Sequence, residues 1–260
     1  MNSLKNILAK LQSNADVDAV FLTGSYALKN SSSSSDIDLV VIFKENKNNL
    51  RSLYEWIDGV FADIFFFDTT DLNRIKDCKE MDWNSMDGIL ATWIQKADIQ
   101  FDRSGILTSL KQKLLNIEQT GVTETEKRNH WQKINYNYVA NKRYFQSKDP
   151  LYHEALELRL FYGTMDTICA FLALRDVPWR GEKNAVSYIK SVAPQFYLAF
   201  EKYNKALSLD ERFKHYNDMI LMTFTDKFKR WTEDDRIVVK KDQSIPGTED
   251  NATQYVDSIL

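Results

Sequence analysis

The stretch that decides the fold runs from residue 21 to residue 41 and reads FLTGS at 21–25, a polar loop, and DIDLVV at 36–41. The apolar segments at 19–22 and 36–43 predict two short strands, because brief apolar runs bounded by polar loops are typical of strands inside a sheet. Alternate side chains of a strand share one face, so Asp36 and Asp38 project the same way while the residues between them enter the core. The sequence therefore predicts two carboxylates held side by side.

A third acid, Asp63, lies inside the next apolar run, VFADIFFF at 60–67, which we also predict to be a strand. An isolated ionised carboxylate in such a run is costly. If this strand pairs beside the one at 36–43, Asp63 completes a cluster of three carboxylates. Like charges at that separation repel, and a cation between them or one shared proton relieves the repulsion. Hard oxygen ligands of this kind select Mg²⁺, with Mn²⁺ as the alternative.

Gly24 and Ser25 end the first strand and open a short predicted helix at 26–29. Glycine lets a phosphate group approach the backbone closely, and a serine hydroxyl can bind a phosphate oxygen. The N-terminus of a helix also favours negative charge. Together with the acids, the pair indicates a site for a metal ion and a phosphate group.

These residues resemble the nucleotidyltransferase superfamily typified by DNA polymerase β, whose signature is a Gly-Ser pair, a loop, an Asp-x-Asp strand and a third acid on a later strand. The resemblance covers residues 15–105. It implies that Gly24 and Ser25 bind a nucleoside triphosphate and that Asp36 and Asp38 ligate two Mg²⁺ ions. It implies that Asp63 ligates the catalytic metal and helps to deprotonate an acceptor hydroxyl. The implied reaction is in-line attack on the α-phosphorus, with pyrophosphate as the leaving group.

The remainder of the chain is predicted to be helical, since glycine and proline are scarce and apolar residues recur at helical spacing from about residue 123. The predicted fold class is α+β. An N-terminal nucleotidyltransferase domain of mixed sheet with flanking helices occupies 1–120, a helical bundle that binds the substrate occupies 121–241, and a flexible tail occupies 242–260. Within these domains we expect, among others, helices at 50–57, 185–207 and 210–230.

The size and layout of the second domain are similar to those of the two-domain antibiotic adenylyltransferases, which modify aminoglycosides or lincosamides. This similarity implies transfer of AMP from ATP to a hydroxyl of a small molecule, and a role in antibiotic resistance. Arg180 and Lys183 precede or open a predicted helix, where cations suit a triphosphate. Glu154 and Glu157 are candidates for a carboxylate base by position alone.

Composition excludes several other classes. The 260 residues carry 34 Lys+Arg and 37 Asp+Glu, and this net charge of -3 argues against a nucleic acid or an anionic membrane as partner. No run of about 18 apolar residues predicts a membrane span. The two cysteines do not indicate a disulfide framework, and this suits the reducing cytoplasm.

Three other functions fit the same motif. The acceptor could be a protein hydroxyl, as in AMP-transferring antitoxins, although those chains are much shorter. It could be an RNA, which the net charge disfavours. The chain could also be a non-catalytic nucleotide sensor, but such a sensor would be expected to lack one of the three carboxylates, and all three are present.

Overall fold

The computed structural model describes residues 3–28, 35–78, 81, 83, 85–115, 117, 121–235 and 237. The chain divides into two compact units, Met1–Thr120 and Gly121–Leu260. The tail predicted at 242–260 lies outside the described residues. The α+β class is confirmed, because a mixed sheet with flanking helices fills the first unit and helices fill the second.

The N-terminal unit contains five strands and five helices among its described residues. In chain order they are α1 (Leu4–Ser13), β1 (Val17–Thr23), α2 (Gly24–Ala27), β2 (Ile37–Phe43), β3 (Ser52–Ile57), β4 (Val60–Asp68), α3 (Thr69–Asp77), α4 (Met86–Gln95), β5 (Asp98–Asp102) and α5 (Ile106–Leu115). The strand order across the sheet is β3-β4-β2-β1-β5. The central pair, β2 with β4, is parallel, and the other three pairs are antiparallel.

Each face of the sheet has its own apolar core. On one face, Leu39 and Ile64 pack with the apolar side of α1. On the other face, Phe21 and Val40 pack with residues of α3, α4 and α5. This second core includes Val40 and Ile42 of β2 but not the first residues of the strand. The beginning of β2 is therefore not covered by this core on that face of the sheet.

The helix predicted at 50–57 is wrong, because this segment contains the edge strand β3. Asp58 and Gly59 have φ values of +52° and +81° and join β3 to β4 with Ile57 paired to Val60. Two successive residues with positive φ are typical of a type I′ turn, and Asp-Gly is one of the sequences that favour it. The turn therefore fixes a hairpin where apolar spacing alone suggested a helix.

In the part of the C-terminal unit that the structure describes, all regular structure is helical. Its helices are α6 (Glu124–Phe145), α7 (Pro150–Ala173), α8 (Glu182–Val192), α9 (Pro194–Lys205) and α10 (Leu209–Thr223). Thr123 and Glu126 form a capping box at the start of α6, and Asp149 caps α7 with Pro150 in its first turn. The core of the unit contains Leu156, Phe171 and Tyr216. No helix in the described part of the chain is long and apolar enough to cross a bilayer.

Two predicted helix bounds in this unit are wrong. The helix expected at 185–207 is two helices, because Pro194 has no backbone N–H to continue α8 and instead opens α9. The helix expected at 210–230 ends at Thr223. The chain beyond it is held to α6, since the Trp131 indole donates to the carbonyl of Lys229 (2.6 Å) and the backbone N–H of Trp231 donates to Asn135 (2.7 Å).

Candidate metal and nucleotide site

The pairing of β2 with β4 brings the three predicted acids together. In the parallel register Asp38 lies opposite Asp63, and Asp36 directly precedes β2. Each of the three half-buried side chains offers a carboxylate oxygen, and these oxygens lie within 4.8 Å of one another. Residues far apart in the sequence thus form one acidic cluster at the beginning of two adjacent strands.

The electrostatics of the cluster favour a cation. Burial, and then the charge of Asp36, raise the pKa of Asp63 above the usual range of an aspartate. The Oδ1 atom of Asp63 is buried and has no hydrogen-bond partner among the described residues. A buried acceptor without a donor, next to two more acids, fits a divalent metal ion, which supplies positive charge and accepts oxygen ligands.

Gly24 shapes the side of the site formed by β1. Its φ of +64° lies in the left-handed region, and a Cβ atom at this position would overlap Oδ2 of Asp38 and lie 3.1 Å from its Cγ. Thr23 pairs with Asp38 across β1 and β2, so the turn begins directly beside the acid. Glycine is needed here both for the backbone conformation and for the close approach to the carboxylate.

Ser25 follows in the same turn, as the second residue of α2. Its Oγ atom is buried and has no hydrogen-bond partner within the described structure. A hydroxyl in this state can donate to an oxygen of a bound molecule. The structure therefore places a Gly-Ser turn, with an unused donor, next to the acidic cluster.

The candidates predicted in the helical part of the chain lie in the C-terminal unit. Arg180 and Lys183 are exposed at the beginning of α8, and their predicted role in nucleotide binding stays a prediction. In α7, Glu154 is exposed, whereas Glu157 forms an ion pair of 2.8 Å with Arg212. This pair gives Glu157 a structural partner of its own.

The sequence prediction missed the residues that adjoin the acids on the sheet. Tyr54 of β3 lies opposite Asp63 of β4, and Trp56 lies opposite Phe61. The sequence did contain evidence for this strand. The segment LYEWI at 53–57 is rich in residues that favour strands, and the Asp-Gly pair that follows it is typical of a hairpin turn.

Comparison with known proteins finds a family match for the N-terminal part of the chain. Residues 5–88 match the family described as Polymerase beta, Nucleotidyltransferase. No curated protein matches the chain. Among solved structures, the chain is similar to a nucleotidyltransferase-like protein from Exiguobacterium sibiricum 255-15, with a TM-score of 0.40 and 14% sequence identity over 85% of this chain and 73% of that chain.

Proposed function

We propose that this chain, whose residues 5–88 belong to the DNA polymerase β-like nucleotidyltransferase superfamily, is a Mg²⁺-dependent enzyme that transfers AMP from ATP to a hydroxyl of a small molecule. The observation that carries the proposal is the cluster of Asp36, Asp38 and Asp63, with oxygens within 4.8 Å of one another. The buried, unpartnered Oδ1 of Asp63 supports a cation at this position.

Each residue of the site has a defined task in this reaction. Asp36, Asp38 and Asp63 hold the divalent ions, which when bound neutralise the charge of the phosphate oxygens and of the departing pyrophosphate. Gly24 lets the α2 turn approach the phosphates, and the Ser25 hydroxyl donates to a phosphate oxygen.

Asp63 accepts the proton of the acceptor hydroxyl. The acceptor oxygen forms a bond to the α-phosphorus as the bond from the α-phosphorus to the pyrophosphate oxygen breaks. Because both reactants are held in line, positioning and charge supply most of the rate enhancement.

The acceptor we propose is an antibiotic of the aminoglycoside or lincosamide type; the role of the helical C-terminal unit as a substrate domain stays a prediction. Cationic acceptors of this kind suit a region rich in acids, and residues 71–102 are such a region. We further propose Arg180 and Lys183 as ligands of the triphosphate, supported by their positive charge and exposure. Cys78 and Cys169 are not joined in a disulfide, which supports a cytoplasmic location.

A transfer assay tests the proposal. The pure protein is incubated with Mg²⁺ and each α-labelled triphosphate, with and without a panel of aminoglycosides and lincosamides, and both pyrophosphate release and the destination of the label are followed. Asp38→Asn should lower the rate by at least about 100-fold, because it removes one charge from the site. The control is Asp98→Asn, an exposed carboxylate on β5 outside the acidic cluster.

The outcomes separate the competing functions. Label on the antibiotic supports the proposal and names the acceptor. Label on a protein would replace the small molecule by a protein hydroxyl. Nucleotide binding without transfer would make the chain a sensor, and full activity of Asp38→Asn would refute the role of the acids.

A further inference from the structure

Three exposed aromatic side chains lie at the edge of the N-terminal sheet. Tyr54 and Trp56 belong to the edge strand β3, Phe61 belongs to β4, and their exposed fractions are 59%, 68% and 39%. Large aromatic residues usually bury most of their surface, so three exposed together indicate a binding surface. We call these three residues the aromatic platform.

The strand register places the aromatic platform on the same face of the sheet as the acids. Tyr54 pairs with Asp63 and Trp56 pairs with Phe61 across β3 and β4, while Asp63 pairs with Asp38 across β4 and β2. Side chains of directly paired residues project from the same face. Tyr54, Asp63 and Asp38 therefore form one row across three adjacent strands, with Trp56 and Phe61 in the next row.

The rings support one another. Tyr54 and Phe61 stack with centroids 6.3 Å apart and an interplanar angle of 4°, and Trp56 meets Phe61 edge to face at 5.3 Å. The hydroxyl of Ser52 donates to that of Tyr54 (3.2 Å), which helps to hold the tyrosine ring in place. The platform is thus an ordered surface, pre-arranged before any ligand binds.

We propose that the aromatic platform binds the acceptor of the transfer reaction, and that this acceptor is a cationic sugar, whose ring lies against Trp56 and Tyr54 with its hydroxyl directed to Asp63. The inference rests on the proposed function, since it assigns the acceptor side of that site. The C–H face of a sugar ring packs on aromatic rings, and an ammonium group on the sugar is attracted by their π-electrons.

The position of the platform favours this occupant over a second copy of the chain. A molecule lying on Tyr54 is next to Asp63, the residue proposed to take the hydroxyl proton. Pairing of β3 with the same strand of another copy is disfavoured because β3 carries the charged Glu55, a feature that protects sheet edges.

A binding experiment on the full chain tests the platform without any chemistry. Kanamycin, streptomycin and lincomycin are titrated calorimetrically in the presence of Mg²⁺ and an ATP analogue with a methylene group between the α- and β-phosphorus, which blocks transfer. We expect saturable binding of at least one of these cationic sugars and none of neutral sucrose. Trp56→Ala and Tyr54→Ala should each weaken the binding by about 10-fold, as loss of a ring contact to a cation predicts.

Two matched variants control the experiment. Trp56→Phe keeps a ring on the platform and should retain affinity to within about threefold, because phenylalanine still presents an apolar and π-electron face. Leu53→Ala changes another exposed apolar residue of β3, but Leu53 pairs with Ile64, which faces the opposite core. It should leave the affinity unchanged, so a loss in this variant would indicate general damage to the edge strand.

The outcomes distinguish failure of this inference from failure of the proposed function. Unchanged acceptor affinity and KM in Trp56→Ala and Tyr54→Ala, with transfer intact, would overturn the platform but leave the transferase standing. Platform-dependent binding without transfer by the wild type would overturn the transferase and keep the sugar site. No saturable binding of any of the three cationic sugars would overturn the inference. A change from dimer to monomer in Trp56→Ala, measured by sedimentation, would assign the surface to a second copy instead.

Discussion

Substitution of Gly24 by alanine probes the closest approach in the acidic cluster. The residue has φ of +64°, and an added Cβ would overlap Oδ2 of Asp38 while remaining 3.6 Å from its Cβ. The clash therefore involves the carboxylate alone. We expect Gly24→Ala to destabilise the N-terminal unit and to displace Asp38 from its place beside Asp63.

The magnitude has two parts. The left-handed backbone conformation costs an alanine about 1 to 2 kcal/mol relative to glycine. Rotation of the Asp38 side chain away from the new methyl group adds about 0.5 to 1.5 kcal/mol, the cost of leaving a favoured rotamer. The free energy of unfolding should fall by about 1.5 to 3.5 kcal/mol in total.

Urea unfolding followed by circular dichroism measures this loss, and the chain supplies a matched control. Gly59 has φ of +81°, but nothing lies within 4 Å of the Cβ that a substitution would add. Gly59→Ala should therefore show only the backbone part. In the Asp38→Ala background the carboxylate is gone, so Gly24→Ala should lose its additional cost, with a coupling of about 1 kcal/mol in the double-mutant cycle.

The two glycine variants should also differ in their affinity for a metal ion. Mn²⁺ affinity, measured by the loss of the free-ion electron paramagnetic resonance signal, should fall in Gly24→Ala and stay at the wild-type level in Gly59→Ala. If the two glycine variants lose equal stability, or if the coupling to Asp38→Ala is zero, the packing of Gly24 on the carboxylate is not what constrains this position.

Three further predictions concern the metal, an ion pair and the core. Saturating Mn²⁺ at about 100 times its Kd should raise the free energy of unfolding of the wild type by about 2.7 kcal/mol but not that of Asp38→Asn; an equal gain in both would contradict the site. Hydrogen bonds from Arg74 hold the pKa of Asp87 below its usual range. This pair stabilises the fold at neutral pH by less than about 1 kcal/mol, because it is partly exposed, and the effect is lost as the pH falls through the lowered pKa. In Asp87→Asn the free energy of unfolding should therefore depend less on pH in the acid range than in the wild type. Leu39→Ala, at a fully buried position, should cost about 2 to 5 kcal/mol in urea unfolding, and a loss below 1 kcal/mol would refute its place in the core.

The acidic site could be predicted from the sequence because its residues violate the ordinary pattern of a strand. Asp38 and Asp63 each interrupt a run of apolar residues, and a carboxylate in that position needs a compensating partner. What the sequence did not contain was the register. Only the pairing of β2 with β4 determines that the two acids lie opposite each other.

The errors have local causes that compete with apolar spacing. The segment 50–57 has apolar residues that suit a helix, but the Asp58-Gly59 turn closes a hairpin and commits it to β3. In the C-terminal unit, Pro194 divides a stretch whose apolar spacing continues on both sides. In both cases one or two residues with a restricted backbone outweigh the pattern of a longer segment.

The aromatic platform escaped prediction for the opposite reason to the acids. Tyr54 and Trp56 are residues that strands favour, so nothing in the local sequence marks them as unusual. Their position at the sheet edge leaves them exposed, and edge position is a property of the strand order. Acids in a strand reveal a site by violating a local rule, whereas exposed aromatic residues reveal one only after the topology is known. In such a transferase, the residues that bind the reacting phosphate can therefore be predicted from the sequence, whereas the residues that select the acceptor are found only from the fold.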